Sequence, residues 1–232
     1  MYSICKRDAS DWAGCLICLA FVAFTAYRVP RASLGLIPLL LPDLLRALAF
    51  LIRGQKTATL PGLVPKIASY LGSYTAVASF DLCSYFRPQW VTSNAGQLAT
   101  LGLLLILLTT VLMAWAVWAL RYSFSIEPQA RGLVTAGPYS VSRHPIYVLN
   151  FLQMFGVWLR HRTVAVAAIM LAAAAFQGVR MHYEERVLGK AFAEYADYRK
   201  RVDIFGLRAA LRILKDLAAP ARASAMVHTT RG

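Results

Sequence analysis

The run LATLGLLLILLTTVLMAWAVWAL, residues 98–120, commits the chain to a bilayer. It holds no charged side chain over more than the roughly 20 residues that a helix needs to cross the hydrocarbon layer. The rest of the composition agrees: 58% of the 232 residues are hydrophobic and 16% charged, whereas soluble domains carry about a quarter charged residues. The sequence is that of an integral membrane protein.

Working outward from this run, apolar segments near residues 12–27, 34–52, 63–86 and 96–120 precede a shorter pair near 145–159 and 163–179. They predict an all-α, polytopic fold of about five to six transmembrane helices. Pro38, Pro42, Asp43 and Arg46 interrupt the second segment, which reads as kinked or partly interfacial. Asp81 leaves the end of the third open. Only RHR, residues 160–162, joins the last pair, which therefore reads as a tight, short helical hairpin. Lys6 and Arg7 before the first apolar segment suit a membrane anchor rather than a cleaved leader. Three regions follow: N-terminal spans over 1–120, a loop, hairpin and cytosolic helix over 121–205, and a basic amphipathic or disordered tail over 206–232.

The formal charge of +14 lies mostly beside apolar runs and in the C-terminal third. That is the place of juxtamembrane basic residues, and no nucleic-acid module accompanies it. With the N-terminus inside, Arg53, Lys56, Arg121, Arg131, Arg143 and the tail face the cytoplasm. Among the cysteines, Cys15 and Cys18 form a C-x-x-C inside an apolar run, which reads as small residues on a membrane helix face. Past residue 180, EERVLGKAFAEYADYRKRV predicts an amphipathic cytosolic helix, and GLRAALRILKDLAAP an interfacial helix on anionic lipid.

The hydrogen-bonding residues gather in GPYSVSRHPIYVLN, residues 137–150. Gly137 and Pro138 mark a turn, and Pro145 suits the first turn of a helix, whose open N–H groups attract carboxylate or phosphate. RMHYEER, residues 180–186, closes the return helix. Arg180 and Glu184 lie four apart on one face, and His182 and Glu185 three apart on another. A short hairpin brings its second helix back to the level where the first began. Tyr139, His144 and Tyr147 are therefore expected beside Arg180, Glu184 and Glu185, as two walls of a polar pocket at the cytoplasmic face.

GPYSVSRHPIY, a hairpin, R-x-x-x-E-E and F-x-x-Y-x-x-Y-x-x-x-V in that order resemble the cofactor-binding region of the isoprenylcysteine carboxyl methyltransferase and phospholipid methyltransferase superfamily. The resemblance covers residues 132–202. It implies a methyltransferase that uses S-adenosyl-L-methionine. Thr135, Gly137, Pro138, Tyr139, His144, Pro145 and Tyr147 would contact the cofactor. Glu185, with Glu184, would take its amino or ribose end, and Arg180 and Glu184 would act at the reacting centre, Arg180 facing the acceptor. A lipophilic carboxylate, isoprenoid-like or lipid, is the first expected acceptor, and a phospholipid amine the second.

The sequence also departs from the pattern. Ile146 and Leu149 stand where the superfamily often has small residues, Ala193 replaces a glycine, and the tyrosine repeat is shifted by one. These changes concern the acceptor pocket more than the cofactor loop. Membrane sterol reductases share R-H-P-x-Y but carry K-Y-G-x-x-W where this chain has KAFAEYADY. An NADPH-dependent reductase is therefore a further alternative. Four histidines are too few for a diiron enzyme.

Overall fold

A computed structural model describes residues 9–28, 40–73 and 96–218. Lys6, Arg7, Cys5, Cys83, Asp81 and the last residues of the tail lie outside these segments. The described chain is mostly helical. Helices α1 (Ala9–Arg28) and α2 (Leu41–Ile52) precede α3, helical at residues 63–73, and the long α4 (Gly96–Leu120). A loop leads to α5 (Pro145–His161) and α6 (Val164–Ala191), then to α7 (Tyr195–Arg201) and α8 (Leu207–Ala218). Among the described residues two helices, α4 and α6, are long and apolar enough to cross a membrane. At 12 residues α2 is too short to span, as its prolines and charges foretell.

Helix α4 is apolar all round yet has two faces. Gly102, Ile106, Thr109, Thr110, Met113, Ala116 and Val117 pack inward. Leu101, Leu104, Leu108, Val111, Trp115 and Trp118 point outward at helical spacing. An outward stripe without one polar residue suits lipid as the solvent. The threonine hydroxyls donate back to the carbonyls of Leu105 and Ile106, each at 2.7 Å, as a low-dielectric surrounding demands.

Glycines let α5 approach α4. A Cβ on Gly102 would stand 2.5 Å from the Gly156 carbonyl, and one on Gly156 would stand 2.9 Å from the Gly102 carbonyl. Gln153 then donates across the seam to Thr110 at 3.0 Å. The α5–α6 hairpin turns where the arginine-rich tip predicts, with Arg162 left-handed at φ 45° and Thr163 capping α6 by accepting from Val166 N–H.

At 28 residues α6 outruns the 17-residue α5 by roughly 16 Å at 1.5 Å per residue. Its last turns therefore rise past Pro145. The sequence predicts one separate amphipathic helix from Glu184 onward. The structure corrects this, since α6 runs unbroken to Ala191, Phe192 turns extended, and α7 folds back. The reversal places Tyr195 beside Gly189, where a Cβ would stand 3.8 Å from the ring.

At the same end, α1 and α2 pack around Cys15, Cys18, Ala47, Ala49 and Phe50, joined by Phe124 and Ile126 of the loop after α4. Both cysteines are free and buried, in keeping with a packing role. The loops carry one feature absent from the all-α expectation, a two-residue antiparallel ladder of β1 (Ala58–Thr59) on β2 (Gln129–Ala130). Thr57 N–H donating to Ala130 O at 2.8 Å belongs to it, and Gly54 N–H donating to Tyr122 O at 2.8 Å joins the same two loops. Together these bonds pin the loop after α4 over the ends of α1 and α2.

Candidate functional site

The loop before α5 is shaped by its own residues. Gly137 sits at φ +62°, a backbone region that suits glycine, and opens a single 3-10 turn, Gly137–Ser140. That turn buries Pro138 and Tyr139. Tyr198 of α7 donates its hydroxyl to the Tyr139 carbonyl at 2.6 Å. Burial first, and the charge of Glu184 second, hold the Tyr139 phenol well above its ordinary pKa. Burial likewise pushes Tyr198 up to about 12. Both remain neutral donors through the physiological range.

His144 ends the loop, with Pro145 in the first turn of α5 behind it. Its Nε2 stands 3.3 Å from Glu185 Oε1, and its Nδ1 stands 3.9 Å from Glu184 Oε2. Arg143 reaches the same Glu185 oxygen at 3.2 Å, and Arg199 of α7 approaches the other at 3.8 Å. One carboxylate thus gathers the loop, α6 and α7. Arg180, one turn before Glu184, donates to Glu184 at 3.1 Å, to Ser73 of α3 at 2.6 Å and to the Ser125 carbonyl at 2.9 Å. Its guanidinium lies 5.0 Å from the centre of the Tyr147 ring.

These groups line one cavity. Tyr139, Arg143, His144, Tyr147, Arg180 and Glu184 form its polar end, with Tyr195 and Tyr198 over it. From there it extends past Asn150 to Cys18 and Phe21 of α1 and to Asp43 and Arg46 of α2.

The acidic pair, the Arg-His-Pro loop and most of the cavity wall lie on one stretch of chain, and that stretch has known counterparts. Residues 98–195 match the phospholipid methyltransferase family. This family is a member of the isoprenylcysteine carboxyl methyltransferase-like superfamily, as the sequence motifs lead one to expect. The chain is also similar to the cobalt-zinc-cadmium resistance protein CzcN of Cupriavidus metallidurans. The two are 36% identical over 145 residues, which cover 61% of this chain and 65% of that protein. It is 33% identical to the nickel-cobalt-cadmium resistance protein NccN of Alcaligenes xylosoxydans xylosoxydans, over 61% of this chain and 66% of that protein. The chain thus spans about two thirds of the length of either relative.

Within the phospholipid methyltransferase segment, Tyr139, His144, Pro145, Tyr147, Arg180 and Glu184 reach the cavity. Glu185 stands behind His144 as its anchor. Thr135 and Gly137 are exposed and Pro138 is buried, and none of the three lies along the cavity wall. His182 shares no site with Glu185, because it is exposed and meets the Tyr183 ring, and the histidine that faces Glu185 is His144.

Other cavity residues were not expected at the site. Ser125 is a lone serine in a loop, and Cys18, Phe21, Asp43 and Arg46 lie outside the family segment altogether. Arg143 could have been read from its place in the Arg-His-Pro triplet, but its partner is 42 positions away (185 minus 143).

Proposed function

We propose that the chain is a membrane-embedded methyltransferase that draws on S-adenosylmethionine and acts on a lipophilic acceptor entering from the bilayer. One observation carries the reading: His144 and Glu185, 41 residues apart, join the loop to the acidic pair in one buried network. That network borders a cavity reaching towards apolar helices.

The residues present fit such a cofactor. Arg143 Nε and Nη1 and the hydroxyls of Ser125 and Tyr195 are buried without a protein partner among the described residues. Buried donors of this kind are costly until a ligand takes them. Arg143 would hold a carboxylate, the Glu184 carboxylate an ammonium or ribose hydroxyls, and the Tyr139 and Tyr147 rings a cationic centre, with Glu185 holding His144 and Arg143 in place behind them. When bound, S-adenosylmethionine supplies an electrophilic methyl on a sulfonium.

The remaining work falls to the chain and is mainly alignment and exclusion of water. Tyr195 and Tyr198 cover the polar end. Arg180 has its hydrogen bonds directed to Glu184, Ser73 and Ser125, so it acts as a positioning residue, holding Glu184 and Tyr147 in register. Thr135, Gly137 and Pro138 shape the loop. A carboxylate acceptor arrives ionised and needs no general base, whereas an amine must first lose a proton. Four arginines (46, 131, 143 and 180) face two acids (43 and 184) along the cavity. This balance favours an anionic acceptor, so carboxyl O-methylation of an isoprenoid-like or lipid molecule stands first and phospholipid N-methylation second.

The test begins with S-adenosylhomocysteine titrated calorimetrically into the detergent-purified chain. Saturable binding is expected, and none at high micromolar concentration overturns the proposal. Thermal stabilisation by NADPH instead would move the chain to the reductases. Labelled methyl transfer into a membrane lipid extract then separates the acceptors, because an ester releases labelled methanol in alkali and an N-methyl group does not. The relatives' names raise metal tolerance as a cellular readout. If this chain shares that role through methyl transfer, a Glu185→Gln allele should behave like a deletion in cobalt, zinc or cadmium.

A further inference from the structure

Helix α8 is left unexplained by the cavity. Phe205, Leu207, Leu211 and Leu214 are each at least 60% exposed. The last three recur at i, i+4 and i+7, so they form one apolar stripe. Arg208, Arg212 and Lys215 form a second, basic stripe about 100° around the helix. Arg208 and Arg212 also donate to the carbonyls of Lys200 and Arg201 at the end of α7. Those bonds fix the orientation of the helix and leave its positive charge in place. Against these three cations the helix carries one acid, Asp216, so its net charge stays positive.

The segment is also anchored at the other end. Asp203 caps α8, accepting from Leu207 N–H at 2.9 Å and Arg208 N–H at 3.3 Å. The Asp203 carbonyl accepts from Arg143 N–H at 3.0 Å, and the Ile204 carbonyl accepts from the Ser142 hydroxyl. Gly206, at φ +74°, lies so close to Val141 that a Cβ would stand 3.2 Å from its Cγ1. The linker into α8 is therefore bonded directly to the loop that carries Arg143 and His144. That loop opens the α5–α6 hairpin, so α8 sits at the level where the hairpin leaves the bilayer.

We infer that α8 docks on an anionic bilayer surface, and that through Asp203, Ile204 and Gly206 this docking holds the 139–144 loop closed over the cavity. Apolar residues in the acyl boundary beside a basic stripe at the headgroups are the arrangement of interfacial helices. Each basic residue near such a surface strengthens attachment about fivefold. The inference does not depend on the cofactor or the acceptor.

The test is amide hydrogen exchange of the full chain in nanodiscs of phosphatidylcholine alone and of phosphatidylcholine mixed with phosphatidylglycerol. Amides of residues 208–215 should exchange at least about tenfold more slowly on the anionic discs, in line with two to three basic contacts. Arg212→Gln with Lys215→Gln, both exposed, should remove most of that lipid dependence while α8 stays folded. Leu211→Glu with Leu214→Glu should abolish the protection and speed exchange at Ser142 and Arg143. Equal exchange on both discs, or protection untouched by either pair of substitutions, overturns the docking. Loss of α8 protection with no change at Ser142 and Arg143 overturns the coupling to the loop.

Discussion

Glu185 is approached by three cationic or imidazole side chains, with Arg143 and His144 on one oxygen and Arg199 near the other. Glu185→Gln keeps the shape and removes the charge. Charge-assisted hydrogen bonds are worth about 1.5–3 kcal/mol, so affinity for S-adenosylhomocysteine should fall on the order of 10- to 150-fold by calorimetry. Unchanged affinity would place the cofactor elsewhere. Tyr198 offers a second handle. Its hydroxyl pKa is about 12 when folded, against about 10 in an unfolded chain. Because the folded value is the higher one, its stabilising contribution is complete below pH about 10 and is lost as pH rises through about 12. Melting temperatures and tyrosinate absorbance across that window should fall and rise together. Tyr198→Phe should lose about 1 kcal/mol at neutral pH and decline less steeply in alkali.

Among the elements, the α4–α5 seam is the one that a single atom can break. Gly156→Val places a branched side chain 2.9 Å from the Gly102 carbonyl and from Ile106 Cγ1. Overpacking of this kind costs about 1–3 kcal/mol, so the melting temperature in detergent should drop, with cofactor affinity following because α5 starts next to His144 and carries Tyr147. Gly178→Ala, where a Cβ meets nothing within 4 Å, is the control and should melt no lower than the parent, since alanine favours the helix. The bounds of α4 were legible because no charge interrupts residues 98–120, and the hairpin because RHR breaks two apolar runs. Counting equal lengths from its tip brings Pro145 level with Arg180, which is why Tyr147, Arg180 and Glu184 could be placed together from sequence. The break at Phe192 was not legible, since it depends on Tyr195 and Tyr198 packing back over the loop. Nor was the wall supplied by α1 and α2, whose contacts with the loop after α4 are long-range and follow no local pattern. The β1–β2 ladder joins two loops in the same way.

For the whole molecule, the decisive question is what covers the outward stripe of α4. Leu101 is 55% exposed, Leu108 58% and Val111 61%, on a helix whose mean hydropathy over an 18-residue window is 2.4. In water such a stripe would drive aggregation, and in a bilayer it is the ordinary solvent-facing side. Trp115 and Trp118 lie on it, three positions apart and therefore on one face. Arg121 stacks 4.9 Å from the Trp118 ring centre, as a cation at headgroup level beside an interfacial aromatic does. Trp118 should therefore sit near the boundary and Trp115 roughly 4.5 Å deeper at 1.5 Å per residue. In liposomes of lipids brominated at stated acyl positions, Trp115→Phe should reduce quenching mainly by the deeper bromines. Trp118→Phe should reduce it mainly by the shallower ones. If neither substitution changes the profile, the stripe faces protein rather than lipid, and the cavity beneath Leu120 no longer opens where a membrane-borne acceptor could enter.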